Sequence, residues 1–172
     1  MNMKKVRYTV FETAWGYAGF SAGPKGVMQL ALPARTRRRA AARFRGAAFD
    51  AGLMKDLQEA LKRYFEGMAV DFRVWPCLSP NATTEFGKAV MRECRKLRWG
   101  ERITYGDLAR RAGRRGAARA VGTILAQNPI PVIVPCHRVV RADGRPGGYS
   151  GEGGVRMKRR LLALESMGAA GF

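Results

Sequence analysis

The hydrophobic pattern changes character along the chain. From Val6, "VRYTVFETAWGYAGFSAGPKGVMQLALP" consists of short runs rich in Val, Tyr, Phe and Trp, broken at Gly16, Gly19 and "AGPKG". Such runs predict short strands joined by turns in a small antiparallel sheet. A basic connector, "ARTRRRAAARFRGAAFD", follows, and "AGLMKDLQEALKRYFEG" then spaces Leu53, Leu57, Leu61 and Phe65 four residues apart, on one face of a helix. Sheet and helix together predict a first domain, 1–75. "VWPCLSPNATT", with two prolines among turn-forming residues, reads as the link to a second domain, 76–172.

Beyond the link the pattern is helical. Phe86, Val90, Met91, Cys94 and Leu97 form one stripe, so Cys94 reads as a small core residue. In "RITYGDLARRAG", Thr104 and Asp107 have capping-box-like spacing and Gly113 offers a stop. A second short helix follows in "GAARAVGTILAQNP", ending at Asn128 and Pro129. The pair is a helix-turn-helix candidate, although plain packing gives the same pattern. Gly116, Ala117, Ala118, Ala120 and Gly122 leave the start of the second helix nearly free of bulk, with Arg119 projecting alone. That lets a backbone approach phosphates, a groove or another helix. The expected fold class is α+β: a small N-terminal antiparallel sheet plus helix, then a mostly helical C-terminal domain.

Composition sharpens the picture. Across 172 residues, 32 Lys and Arg face 13 Asp and Glu, a formal charge of +19. A charge that large attracts polyanions through counterion release, which points to nucleic acid. A general arginine bias of the source genome, or adaptation to heat, would produce the same number. Cys77, Cys94 and Cys136 are three cysteines without CxxC spacing, which fits a reducing, cytoplasmic compartment better than a disulfide framework. "MNMKKVRYTVF" has no apolar stretch of the secretory kind, and no apolar run has the length of a membrane span. One histidine and three scattered cysteines offer no zinc spacing, so no metal is expected.

The only histidine, His137, directly follows Cys136 in "PVIVPCHRVV". Pro129, Pro131 and Pro135 exclude a regular central strand and predict a stiff connector. A thiol needs a base, nearby positive charge or a helix N-terminus to become a nucleophile at neutral pH. Pro135 suits the first turn of a helix and would put Cys136 at its positive end. Adjacent side chains rarely face each other, so His137 would act as base through a turn or one bridging water. A histidine in that role needs a carboxylate to fix its tautomer. Glu165, three and four residues beyond Leu162 and Leu161, is placed to supply it from the buried face of a C-terminal helix. Between them "GRPGGYSGEGG", six glycines in eleven residues, can wrap closely around a flat ligand. The plain alternative is a buried inert thiol, a satisfied histidine and a solvated carboxylate.

"ITYGDLA", "AARAVG", "NPIPVIVPCHRVV", "GGYSG" and "KRRLLALE", in this order, resemble the O6-alkylguanine-DNA alkyltransferases, also called methylated-DNA–protein-cysteine methyltransferases. The likeness covers residues 81–165 well. It implies direct-reversal DNA repair: an alkylated guanine, and O4-alkylthymine as well, is flipped from the duplex and its alkyl group passes irreversibly to Cys136, once per molecule. By the same resemblance His137 deprotonates Cys136 through a water, Glu165 stands behind the histidine, Asn128 is the hinge that orders the site, and Tyr105 gives a proton to guanine N3. Arg119 fills the space left by the flipped base. Ala117, Ala118 and Thr104 belong to the DNA-binding surface, and Pro131, Val139, Tyr149, Ser150 and Gly151 to the pocket, with Ser150 near the guanine O6.

The partner so implied is double-stranded DNA, held by the minor groove with low sequence specificity because the pocket selects the lesion. A monomer without cofactors is expected, alone or in cooperative runs along DNA. The first domain resembles the family's ribonuclease-H-like N-terminal part only loosely, and it lacks the zinc-binding cysteines and histidines that some members carry there. "SGEGG", between Tyr149 and Val155, runs longer than in well-known members. Two other classes compete: a non-enzymatic alkyltransferase-like protein that flags the lesion, from which the acceptor cysteine is typically missing, and a helix-turn-helix regulator, which would need an operator and usually a dimer.

Overall fold

The computed structural model describes residues 6–76 and 84–168, and the chain divides into two compact units, Met1–Leu78 and Ser79–Phe172. Cys77 and most of the expected link lie outside the described residues.

The first unit is built on three antiparallel strands, β1 (Arg7–Thr13), β2 (Gly16–Gly23) and β3 (Gly26–Ala34). The glycine turns fall where the sequence puts two of them, with Gly16 at φ 111° and Gly26 at φ 119°. Gly19 is no turn: it lies inside β2, where an added Cβ would stand 2.5 Å from the Thr9 carbonyl. Close strand contact, not chain reversal, is what requires glycine there.

Two elements were not expected. The basic connector contains a short helix, α1 (Arg37–Ala41), capped by the Thr36 side chain, and β4 (Ala48–Phe49) joins β1 in parallel, completing the order β3-β2-β1-β4. Helix α2 (Lys55–Phe65) buries Leu57, Leu61 and Phe65, and Leu53, just ahead of it, is buried as well. Rings of Phe11 and Phe20, and of Tyr64 with Phe65 and Phe72, meet edge to face in this core.

The second unit contains α3 (Glu85–Arg95), β5 (Ile103–Thr104), α4 (Tyr105–Arg111), α5 (Ala118–Ala126), β6 (Val139–Val140) and α6 (Gly154–Gly168). The stripe of α3 is buried at Val90, Met91, Cys94 and, just past the helix, Leu97. Thr104 caps α4: its Oγ1 accepts from the Asp107 amide at 3.0 Å and donates to the Asp107 carboxylate at 2.8 Å. Gly113, at φ 87°, ends the turn after α4, and α4 packs on α5. Parallel pairing of β5 with β6 ties the start of α4 to the residues just after His137. The unit is mostly helical, as the sequence predicts, with the short β5–β6 pair an addition, and the chain as a whole is α+β. No helix among the described residues is long and apolar enough to cross a membrane.

Candidate active site

Cys136 opens a single turn of 3-10 helix, Cys136–Arg138, with Pro135 in the cap position. This corrects the expectation of a helix N-terminus: one turn has almost no macrodipole, so it does little to ionise the thiol. The preceding connector is wholly buried at Ile130, Val132, Ile133 and Val134, with Val132 at φ 74°. Asn128 fixes its shape. Its Oδ1 accepts from the Ile130 amide at 3.1 Å, while its Nδ2 donates to the Val134 carbonyl at 2.8 Å and to Cys136 Sγ at 3.2 Å.

Behind the thiol, His137 and Glu165 are almost fully buried, and Nε2 lies 2.7 Å from Oε1. The carboxylate can only accept, so Nε2 carries the hydrogen and Nδ1 is left basic. The sequence reading missed Arg138. Its guanidinium grips both Glu165 oxygens at 2.9 Å and donates to the Leu97 carbonyl at 2.6 Å, and the Gly100 amide adds a bond to Glu165 at 3.2 Å. Burial works against the Glu165 charge, yet its bonds to His137 and Arg138 prevail and hold the carboxyl at about 2. Burial pulls His137 below its usual value; Glu165 restores only part of this, and the nearby charges of Arg138 and Lys158 lower it further. The imidazole is therefore a neutral base at pH 7.

Lys158 was missed as well. It is 1% exposed, and its Nζ donates to the Val139 carbonyl at 2.7 Å, to Tyr105 Oη at 3.2 Å and to the Gly148 carbonyl at 3.3 Å. Burial draws its pKa down to about 8. The signal was present: Lys158, Leu161, Leu162 and Glu165 follow the i, i+3, i+4, i+7 rule, so a lysine stands on the buried stripe of α6. Arg138 had no such signal beyond its place next to His137.

In front of the thiol opens a cavity of about 590 Å³, lined by Tyr105, Ala118, Arg119, Cys136, Tyr149 and Ser150 together with Arg141 and parts of α5 and the glycine loop. That is an ordinary volume for a small-molecule site. Burial pushes the Cys136 thiol above its usual range, against the pull of Asn128, Lys158 and Tyr149. Tyr105 is also pushed up by burial and stays protonated, a donor facing the cavity. Ser150 Oγ donates to the Ala126 carbonyl at 2.5 Å, tying the glycine loop to the end of α5.

Several residues picked from the sequence stand off the wall. Val139 and Pro131 are buried and do not line it, Gly151 packs under Tyr149, Thr104 caps α4 and Ala117 caps α5 through its backbone. Asn128, His137 and Glu165 support Cys136 from outside the cavity wall.

A family model described as the DNA-binding domain of 6-O-methylguanine DNA methyltransferase matches residues 85–167. A methylated-DNA–protein-cysteine methyltransferase of Mycobacterium tuberculosis is 40% identical over 116 residues, 67% of this chain and 67% of its own length. The chain belongs to the methylated-DNA–protein-cysteine methyltransferase family. A member from Methanothermobacter thermautotrophicus is 36% identical over 118 residues, 69% of this chain, which spans 64% of that methyltransferase. Among solved methyltransferases, the M. tuberculosis protein in complex with DNA superposes with a TM-score of 0.76 at 32% identity, covering 94% of each chain. The likeness therefore extends through the N-terminal unit, where the sequence alone gave only a loose resemblance.

Proposed function

We propose that this chain repairs alkylated DNA directly, moving the alkyl group from guanine O6, or thymine O4, to Cys136. The observation that carries this reading is the placement of Cys136 on a cavity roomy enough for a flipped base, backed by the buried His137–Glu165 pair. His137 Nδ1 takes the thiol proton through a water. The thiolate sulfur attacks the alkyl carbon, the carbon–oxygen bond breaks, and the electron pair leaves on the base. Tyr105, protonated at neutral pH, supplies a proton to the departing guanine at N3. A thioether does not revert, so each molecule acts once.

DNA enters through unit 2, Ser79–Phe172. The nearly bulk-free start of α5, with Ala117 and Ala118, suits a minor groove, and exposed Arg119 at the cavity mouth suits the gap left by a flipped base. The +19 charge offsets the cost of flipping through phosphate contacts and carries little sequence preference. The protein works as a cytoplasmic monomer, alone or in cooperative runs, and needs no cofactor.

Intact-protein and peptide mass spectrometry after incubation with duplex DNA carrying one O6-methylguanine tests this. One methyl group per molecule, mapped to Cys136, is the expected result. Tight lesion binding with an unmodified thiol would place the protein in the lesion-flagging class instead.

A further inference from the structure

The glycine loop brings one more polar group to the reacting atom. Tyr149 lines the same cavity as Cys136, and its hydroxyl is sealed from solvent without a hydrogen bond of standard geometry among the described residues. A buried hydroxyl left in that state costs stability, so its retention calls for an explanation. Its position is also imposed. An added Cβ at Gly151 would stand 2.5 Å from Cε1 of the Tyr149 ring and 3.1 Å from its hydroxyl, so only glycine lets the loop press the ring this closely. The Ser150 bond to the Ala126 carbonyl pins the same loop to α5.

We propose that the Tyr149 hydroxyl is a hydrogen-bond donor that stabilises the Cys136 thiolate, making Tyr149 a catalytic residue and not only a wall of the pocket. This rests on Cys136 being the alkyl acceptor. A thiol is a weak acceptor and a thiolate a strong one, so a phenol beside the sulfur gains its partner as the proton leaves. Burial, and then the neighbouring sulfur, push the Tyr149 hydroxyl well above its usual range, so it does not ionise in competition with the thiol. Its interaction lowers the thiol in turn, in the same direction as the Asn128 amide and the Lys158 ammonium. Asn128 and Tyr149 would hold the sulfur as a two-donor cradle, with Lys158 as the nearby cation. Once the sulfur is alkylated, the thioether is again a poor acceptor and the cradle loses its purpose, which suits a site used once.

The test is Tyr149→Phe, which keeps the ring. Thiolate formation is followed in the free protein by ultraviolet absorbance against pH and by the rate of iodoacetamide labelling at Cys136, and methyl transfer from O6-methylguanine duplex is measured over the same range. The expected result is a rise of about one pH unit in the thiol titration, with transfer about tenfold slower at neutral pH and recovering toward the wild-type rate above the new midpoint. An unshifted titration, or a rate loss that persists at high pH, would reduce Tyr149 to a pocket wall. Because the titration needs no DNA, it stands or falls separately from the transfer reaction, whose own failure would show in the wild-type protein.

Discussion

His137 Nε2 stands 2.7 Å from Glu165 Oε1, while the same carboxylate is held from its other side by Arg138. The carboxylate therefore serves two partners: it sets the tautomer of the base and it neutralises a buried cation. Its loss has consequences for folding as well as for transfer.

Glu165→Gln leaves the Arg138 charge buried without a counter-ion and should destabilise the protein by about 3–5 kcal/mol. Methyl transfer should slow in the fraction that remains folded, because the amide no longer fixes the imidazole. Thermal denaturation together with single-turnover kinetics below the melting transition checks both. An unchanged rate would remove Glu165 from the proton relay.

Acid should unfold the wild-type protein through the same group. The folded carboxyl titrates at about 2, against 4.5 for the ordinary group, so its contribution is complete above 4.5 and is lost as pH falls toward 2. The size is about 3 kcal/mol. His137, lowered by burial, acts in the same direction at higher pH, since the unfolded histidine takes up its proton first. Denaturant titrations across this range should show stability decreasing monotonically with acid.

Lys158→Met should raise the Cys136 thiol, whose ionised form the ammonium favours, and so slow alkylation at neutral pH. Its pH–stability signature differs from that of a packing mutation. The folded lysine titrates at about 8 and the ordinary group at 10.5, so wild-type stability falls as pH decreases from 10.5 to 8. The variant should lack that slope when urea midpoints are compared at several alkaline pH values.

Arg119→Ala should slow transfer from duplex DNA by roughly tenfold, the scale of a lost contribution to base flipping, yet leave reaction with free O6-benzylguanine nearly unchanged. Equal loss on both substrates would count against the role at the flipped base.

Thr104→Ala removes the cap of α4 and should cost about 1 kcal/mol. Tyr105 is the first residue of that helix, so its placement in the cavity should loosen too, seen as slower transfer alongside a lower melting temperature.

Much of this molecule was legible along the chain because it rests on short-range rules. The stripes of α2 and α3, the cap at Thr104 and the stop at Gly113 depend on neighbours within a few residues, and periodicity reports such contacts directly. The helix expected at Cys136 failed for the complementary reason: Pro135 permits a helix, but the chain leaves after one turn because Val139 and Val140 pair with Ile103 and Thr104, a contact invisible at short range.

The residue types of the site, and the approach of Cys136, His137 and Glu165, were determined by the sequence through motif order and the buried face of α6. What only the tertiary structure decided is how charge is distributed among them. Arg138 and Lys158 stand among 32 arginines and lysines; nothing local marks Arg138 as buried, and the stripe that holds Lys158 does not say which partners meet its charge. Packing α6 against the turn at Cys136–Arg138 closes water out, and without water each buried charge must find its partner across the fold: Arg138 at Glu165 and Leu97, Lys158 at Val139, Gly148 and Tyr105. Desolvation is a property of the assembled core, so the protonation states on which a reactive thiol depends could not be fixed before it formed.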